Sequence, residues 1–213
     1  MGISRRTVVT GLAGIIAVPG VAAAESLAPT PQETLGPYFP VRTPAEHNHD
    51  LTRVPGRTAR AAGKIIELSG RVLRVDGSPI PKAKIEIWQA NAAGRYTNPI
   101  DRNPAPLDPN FKGVAVLHSA ADGAYRIRTI KPGPYPDPAG GTRAPHIHFE
   151  VAAGDYLLAT QMYFPGEALN DKDILMSTMS GRHRDPKRVI CSQVDASEPG
   201  VLRFEWNIVL LQA

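Results

Sequence analysis

RAPHIHFEV, residues 143–151, alternates as a strand does. Ile147, Phe149 and Val151 fall on one face, and His146, His148 and Glu150 fall on the other. An apolar face of this kind belongs against a core. The opposite face then has two readings: the imidazoles are solvated on a half-exposed strand, or they converge on one metal ion and other parts of the chain complete its ligand set.

Outward from this stretch the chain keeps the same character. KIIELSGRVLRV (64–75), KAKIEIWQA (82–90), GVAVLHSA (113–120), AYRIRTI (124–130), LLATQMYF (157–164) and VLRFEWNIVLL (201–211) each read as a strand. Turn signals such as Asp76-Gly77-Ser78-Pro79, Ala121-Asp122-Gly123 and Gly154-Asp155 separate several of them. About seven strands at this spacing predict an all-β fold, an antiparallel β-sandwich. Helix is confined to a turn or two around residues 166–180. The 21 prolines and 19 glycines among 213 residues agree with short strands and long loops.

The first 24 residues, MGISRRTVVTGLAGIIAVPGVAAA, place two arginines before an apolar run and small residues at its end. Ser4-Arg5-Arg6 resembles a twin-arginine export signal, and Gly11, Gly14, Pro19 and Gly20 argue against a permanent membrane span. The expected location is therefore outside the cytoplasm, periplasmic or extracellular. Residues 25–60 show neither period and read as an extended arm lying on the surface of the domain formed by residues 61–213. Without Arg5 and Arg6 the net charge of +4 falls to +2. No basic stripe interleaved with aromatics suggests nucleic acid. Cys191 is the single cysteine, which excludes an intrachain disulfide and a cysteine-based zinc site. Homo-oligomer formation is left open.

Two histidines leave a metal open on most sides. HxH spacing alone is weak, and a cupin would place its glutamate further along than Glu150. A second such pair, His47-Asn48-His49, reads as a solvated loop. Tyrosines are better partners. Tyr135 sits in KPGPYPDP, whose prolines and glycine restrict the backbone. Tyr96 ends the loop that follows the Trp88 strand. A hard cation such as Fe(III) suits phenolate and imidazole donors together, and it lowers the phenol pKa so that the anion binds.

IEIWQANAAGRY, APLDPNFKG, DGAYRIRTIKPGPYP and RAPHIHFEV, in this order, resemble the intradiol ring-cleavage dioxygenases, most strongly the β chain of the protocatechuate 3,4-dioxygenases. The similarity is dense from about Leu68 to Phe164. It implies a β-sandwich holding non-haem Fe(III) on Tyr96, Tyr135, His146 and His148. It also implies cleavage of a catechol by O2 between its hydroxylated carbons, to a cis,cis-muconate-type diacid. Tyr135 and Arg143 would be catalytic. Gln161 of the TQxYF motif would lie near the substrate. TPQETLGPYFP, residues 30–40, resembles the segment that lines the pocket in this family, which gives Tyr38 a place there. Two positions depart from the pattern. Asp137 stands where the protocatechuate enzymes carry a tryptophan, and the loop from Tyr135 to His146 is two residues shorter. Both bear on substrate choice and leave the metal donors intact.

Two other classes fit less well. GRVLRVDGSPIPKAKIEIWQA also resembles transthyretin-like sandwich modules, but loss of a donor would be expected there and all four are present. A zinc hydrolase built on the histidine face would want an acidic third ligand that this set lacks.

Overall fold

The computed structural model describes residues 26–42, 49–138, 140–179, 185–196 and 198–211. The expected export signal and His47 lie outside the described residues. Eleven strands carry the fold: β1 (Ile65–Arg74), β2 (Lys84–Trp88), β3 (Val114–His118), β4 (Ala124–Ile130), β5 (Tyr135–Pro136), β6 (Thr142–Arg143), β7 (His146–Ala153), β8 (Tyr156–Tyr163), β9 (Ser192–Val194), β10 (Leu202–Glu205) and β11 (Ile208–Leu210). The one α-helix among the described residues is the single-turn α1 (Ile174–Thr178), inside the segment where helix was expected.

Two sheets pack face to face. The first is built on β1, with β4 along one side and β10 and β11 along the other. The second is a four-stranded antiparallel sheet in the order β3-β2-β7-β8. Alternation decides which side chains fill the gap between them. Ile85 and Ile87 from β2, Leu117 from β3, and Ile147, Phe149 and Val151 from β7 meet Ile66, Leu68 and Val72 from β1 and Ile127 from β4, all fully buried. Each such side chain contributes about 1.5–3 kcal/mol on leaving water, so this interface dominates the fold's stability.

The all-β sandwich is as expected, with one refinement. The last segment pairs with β1 in parallel on both sides of a break: Ile66 to Ser69 align with Leu202 to Glu205, and Val72 to Arg74 with Ile208 to Leu210. Trp206 and Asn207 form that break. The Trp206 amide donates to the Ser69 carbonyl (2.9 Å), and the Asn207 side-chain oxygen accepts from the Arg71 amide (2.9 Å). The alternation of VLRFEWNIVLL conceals the break because its apolar residues resume in phase beyond it.

The described residues of the arm lie in no named strand or helix, and they do not merely lie on the surface. Thr30 bonds both ways with Val209 of β11, through its amide (2.9 Å) and its hydroxyl (2.8 Å). Three residues on, the Glu33 amide donates to Ala159 of β8 (2.8 Å). The arm therefore bridges the edges of both sheets. Thr30, Tyr38, Leu51 and Thr52 are buried, because backbone pairing and aromatic packing outweigh the polar composition of the segment.

Tyr125 of β4 closes the core beneath the Trp206 break, its hydroxyl donating to the Trp206 carbonyl at 2.7 Å. Tyr125→Phe leaves that carbonyl buried without its donor. The expected loss is about 1–3 kcal/mol, read as a lower urea midpoint at unchanged m-value.

Candidate metal centre

The front face of the second sheet carries the site. Across β2, β7 and β8 the register sets Trp88 beside His148 and His148 beside Gln161, with His146 beside Tyr163 in the next row. The Trp88 ring stacks flat on His148, centroids 4.8 Å apart and planes 7° apart. Gly36 of the arm covers the other side, where a Cβ would stand 3.2 Å from the His148 ring. Further along the face, Glu150 lies opposite Glu86 and takes no part in the donor cluster. His49, the described half of the second histidine pair, bonds the Arg126 carbonyl (3.1 Å) on the first sheet.

The tyrosines come from two loops that touch backbone to backbone. In the first loop, Asn91 Oδ1 accepts from the amides of Ala93 (2.9 Å) and Arg95 (3.0 Å). The buried Asp101 carboxylate accepts from the Tyr96 amide (2.7 Å). In the second, the Gly133 amide donates to the Asn91 carbonyl (2.9 Å). Only glycine fits this crossing. A Cβ on Gly94 would fall 2.1 Å from the Pro134 oxygen, and one on Gly133 would fall 2.4 Å from the Ala92 oxygen. The short β5–β6 ladder then sets Tyr135 directly opposite Arg143.

Together these elements bring the oxygens of Tyr96 and Tyr135 to 3.5 and 3.3 Å from His146 Nε2, which is 3.1 Å from His148 Nε2. Donors that each sit about 2.0–2.2 Å from a shared ion lie roughly 3–3.5 Å apart. The cluster fits one cation. The chemistry of the donors agrees. The Ala144 carbonyl can only accept, so His146 Nδ1 carries the hydrogen of that 2.7 Å bond and Nε2 faces the cluster with a bare lone pair. Burial holds both imidazoles well below their usual pKa, with Arg143 adding to the effect. They are therefore neutral, as metal ligands must be. Burial moves the phenols the opposite way, Tyr135 to about 12 and Tyr96 well above 10. Either phenol could serve as a phenolate donor only with a cation at the centre of the cluster. Among the described residues no three His, Cys, Asp or Glu side chains converge, so the donor set is oxygen-rich only through its tyrosines.

Arg143 is buried beside the donors and clamped from behind. Nε donates to Asp173 (2.9 Å), and Nη2 donates to Gln161 Oε1 (2.7 Å) and to the Tyr163 hydroxyl (2.9 Å). Nη1 alone is turned to the Tyr135 oxygen, at 3.4 Å. Gln161 is fully buried and its amide donates to the Thr34 carbonyl (3.1 Å). It supports Arg143 from β8, directly across the ladder from His148. Asp173, Tyr163 and Asp101 were not singled out from sequence. Tyr163 could have been, as it shares the TQMYF motif; a lone aspartate in a loop carries no such signal.

Tyr38 closes over the cluster, stacked on Tyr96 (4.6 Å, 30°) and edge-on to Tyr135 (5.9 Å, 67°). On one side of it lies a cavity of about 440 Å³ lined by Pro37, Ile100, Arg102, Pro136 and Asp137. On the other, a cavity of about 310 Å³ is lined by Trp88, Tyr96 and Val114. Asp137 sits at the hairpin turn that follows Tyr135, with its carboxylate 4.0 Å from Arg143 Nε.

A sequence profile described as Dioxygenase matches residues 34–212. The chain is 41% identical over 169 residues to a protocatechuate 3,4-dioxygenase β chain of Burkholderia cepacia, covering 76% of this chain and 71% of that one. It is 32% identical over 192 residues to the α chain of a Pseudomonas putida protocatechuate 3,4-dioxygenase, covering 86% of this chain and 93% of that one. Among solved structures, the dioxygenase domain of a dioxygenase and carbohydrate-binding fusion from Streptomyces sp. SirexAA-E superposes with a TM-score of 0.64 at 30% identity, over 87% of this chain and 99% of that one. The chain spans about half the length of other relatives, 48% for a catechol 1,2-dioxygenase of Acinetobacter baylyi. The chain belongs to the intradiol ring-cleavage dioxygenase family.

Proposed function

We propose that this chain binds non-haem Fe(III) on Tyr96, Tyr135, His146 and His148 and cleaves a catechol with O2 between its hydroxylated carbons, yielding a cis,cis-muconate-type diacid. The observation that carries the reading is the convergence of the Tyr96, Tyr135 and His148 donors within 3.5 Å of His146 Nε2, brought together from two loops and one strand. When bound, Fe(III) supplies a Lewis acid that accepts the catechol oxygens and draws electron density from the ring.

The chain's own groups have distinct tasks in that reaction. Tyr135, on the hairpin and next to Arg143 Nη1, would help hold the metal and is placed to take a substrate hydroxyl proton on its phenolate oxygen. Tyr96, His146 and His148 stay as anchors, braced by Asp101, Ala144 and Trp88. Arg143 presents one fixed N–H toward negative charge that builds on the ring and oxygens, a preorganised electrostatic role. Tyr38 and Trp88 exclude water around the donors. Residues 1–24 we read as an export signal, which puts the reaction outside the cytoplasm.

Iron-loaded protein is expected to be red-brown from phenolate-to-iron charge transfer and to bleach with dithionite. A colourless protein holding stoichiometric zinc by metal analysis would refute the reading.

Anchoring and charge stabilisation separate by mutation. His148→Ala should lose iron and activity together. Arg143→Ala should keep iron and colour while kcat falls by about 10²–10³, the scale of a lost charge-stabilising donor. Parallel iron loss in both variants would make Arg143 structural.

Substrate choice turns on Asp137. A second carboxylate about 4 Å away repels it by about 1 kcal/mol in bulk water and about 4 kcal/mol near a protein surface. At about 1.4 kcal/mol per tenfold, the bias in kcat/KM reaches an order of magnitude or more. Arg102 lines the same cavity but is exposed and screened, whereas buried Arg143, its Nε 4.0 Å from the Asp137 carboxylate, offsets part of the repulsion and leaves the bias at the lower end of that range. Neutral catechols should therefore be turned over better than protocatechuate, and Asp137→Asn should narrow the gap. A preference for protocatechuate that this substitution leaves unchanged would count against the assignment.

A further inference from the structure

Asp173 is fully buried, and each of its carboxylate oxygens has a separate task. Oδ1 accepts from the amides of Leu175 (3.0 Å) and Met176 (3.3 Å), which caps α1. Oδ2 accepts from Arg143 Nε (2.9 Å) and from the Ala144 amide (2.8 Å). The Ala144 carbonyl in turn accepts from His146 Nδ1 (2.7 Å). A capping carboxylate needs only the first pair of bonds, and caps are ordinarily solvated. The second pair is what burial makes decisive. A buried anion deprived of its cation is strongly destabilising, so the Asp173 charge binds Arg143 to one rotamer. Gln161 and Tyr163 hold Nη2 from another side, and only Nη1 is left to face Tyr135.

We propose that Asp173 is a positioning residue of the iron site, one that fixes Arg143 Nη1 against the Tyr135 oxygen; this rests on the iron reading above. The inward pair of bonds is the reason that the carboxylate lies in the interior. Its effect on turnover passes through Arg143, and the Ala144 peptide carries a smaller share to His146.

The test compares wild type, Asp173→Asn, Arg143→Ala and the double variant as iron-loaded full-length protein. Iron content, melting temperature, the visible phenolate-to-iron band, kcat and KM are measured on each. Asparagine keeps an oxygen for the α1 amides and removes the charge. Asp173→Asn is expected to retain iron, to shift the visible band because Tyr135 loses its fixed donor, and to lower kcat about 10–100-fold, the scale of an outer-shell loss. KM should change less than kcat. Most of the kcat loss should be absent when the substitution is made on Arg143→Ala, since residues acting as one unit are not additive. A lower melting temperature with unchanged band and kcat would reduce Asp173 to a helix cap, and fully multiplicative losses in the double variant would equally overturn the proposal. Should Asp173→Asn fail to fold, Arg143→Lys decides, because one ammonium cannot reach Asp173 and Tyr135 together. Wild-type band and kcat in Arg143→Lys would overturn it. Colourless, inactive wild type would sink the iron reading and this proposal together, whereas coloured, active wild type beside an unaltered Asp173→Asn sinks this proposal alone.

Discussion

The register of three antiparallel strands governs the candidate metal centre. β7 presents Ile147, Phe149 and Val151 to the sandwich core, and period two then obliges His146 and His148 to face outward. β2 and β8 add Trp88, Gln161 and Tyr163 in the same rows. A slip of one residue would drive both imidazoles into the core and turn Phe149 out. The hydrophobic interface between the sheets is therefore what holds the histidines in place. The metal donors inherit their precision from apolar packing on the other side of the strand.

The phenols depend on a different device. A loop cannot be positioned by a core it does not enter, so each tyrosine loop is held by its neighbour and by buried polar groups. Asn91 and Asp101 satisfy the amides of the first loop, and the glycine crossing joins it to the second. Arg143 then ties the hairpin of Tyr135 to β8 and to α1 through Gln161, Tyr163 and Asp173. The imidazoles are held by a strand inside a sheet, whereas the Tyr135 phenol is held by a two-residue ladder and by Arg143.

Much of this was legible in the sequence because it follows from alternation. His146 and His148 on one face, the sandwich class and the main strand spans all come from period two and turn chemistry. The tyrosine identities needed the likeness to a family, since nothing in a loop's sequence reports where its side chain converges. The parallel pairing of β1 with β10 and β11 was hidden because strand direction leaves no mark on a short alternating run. Burial of the arm was hidden too. Its polar, proline-rich composition reads as solvated, and the backbone bonds of Thr30 and Glu33 that seat it on two sheets are independent of side-chain pattern. Asp173 was silent for a simpler reason: an acid that caps a single-turn helix looks like any other loop aspartate until its second oxygen is placed.

The seating of the arm also orders events in time. Thr30 bonds Val209 across 179 residues of chain, and the same arm delivers Gly36 and Tyr38 to the donor cluster. Pairings that distant close late, after the intervening loop entropy has been overcome. The sheets can stack before that pairing forms, yet the pocket is not sealed until β11 has seated the arm. A chain missing β11 would retain the histidines and tyrosines but leave the arm that carries Gly36 and Tyr38 without its seat on Val209.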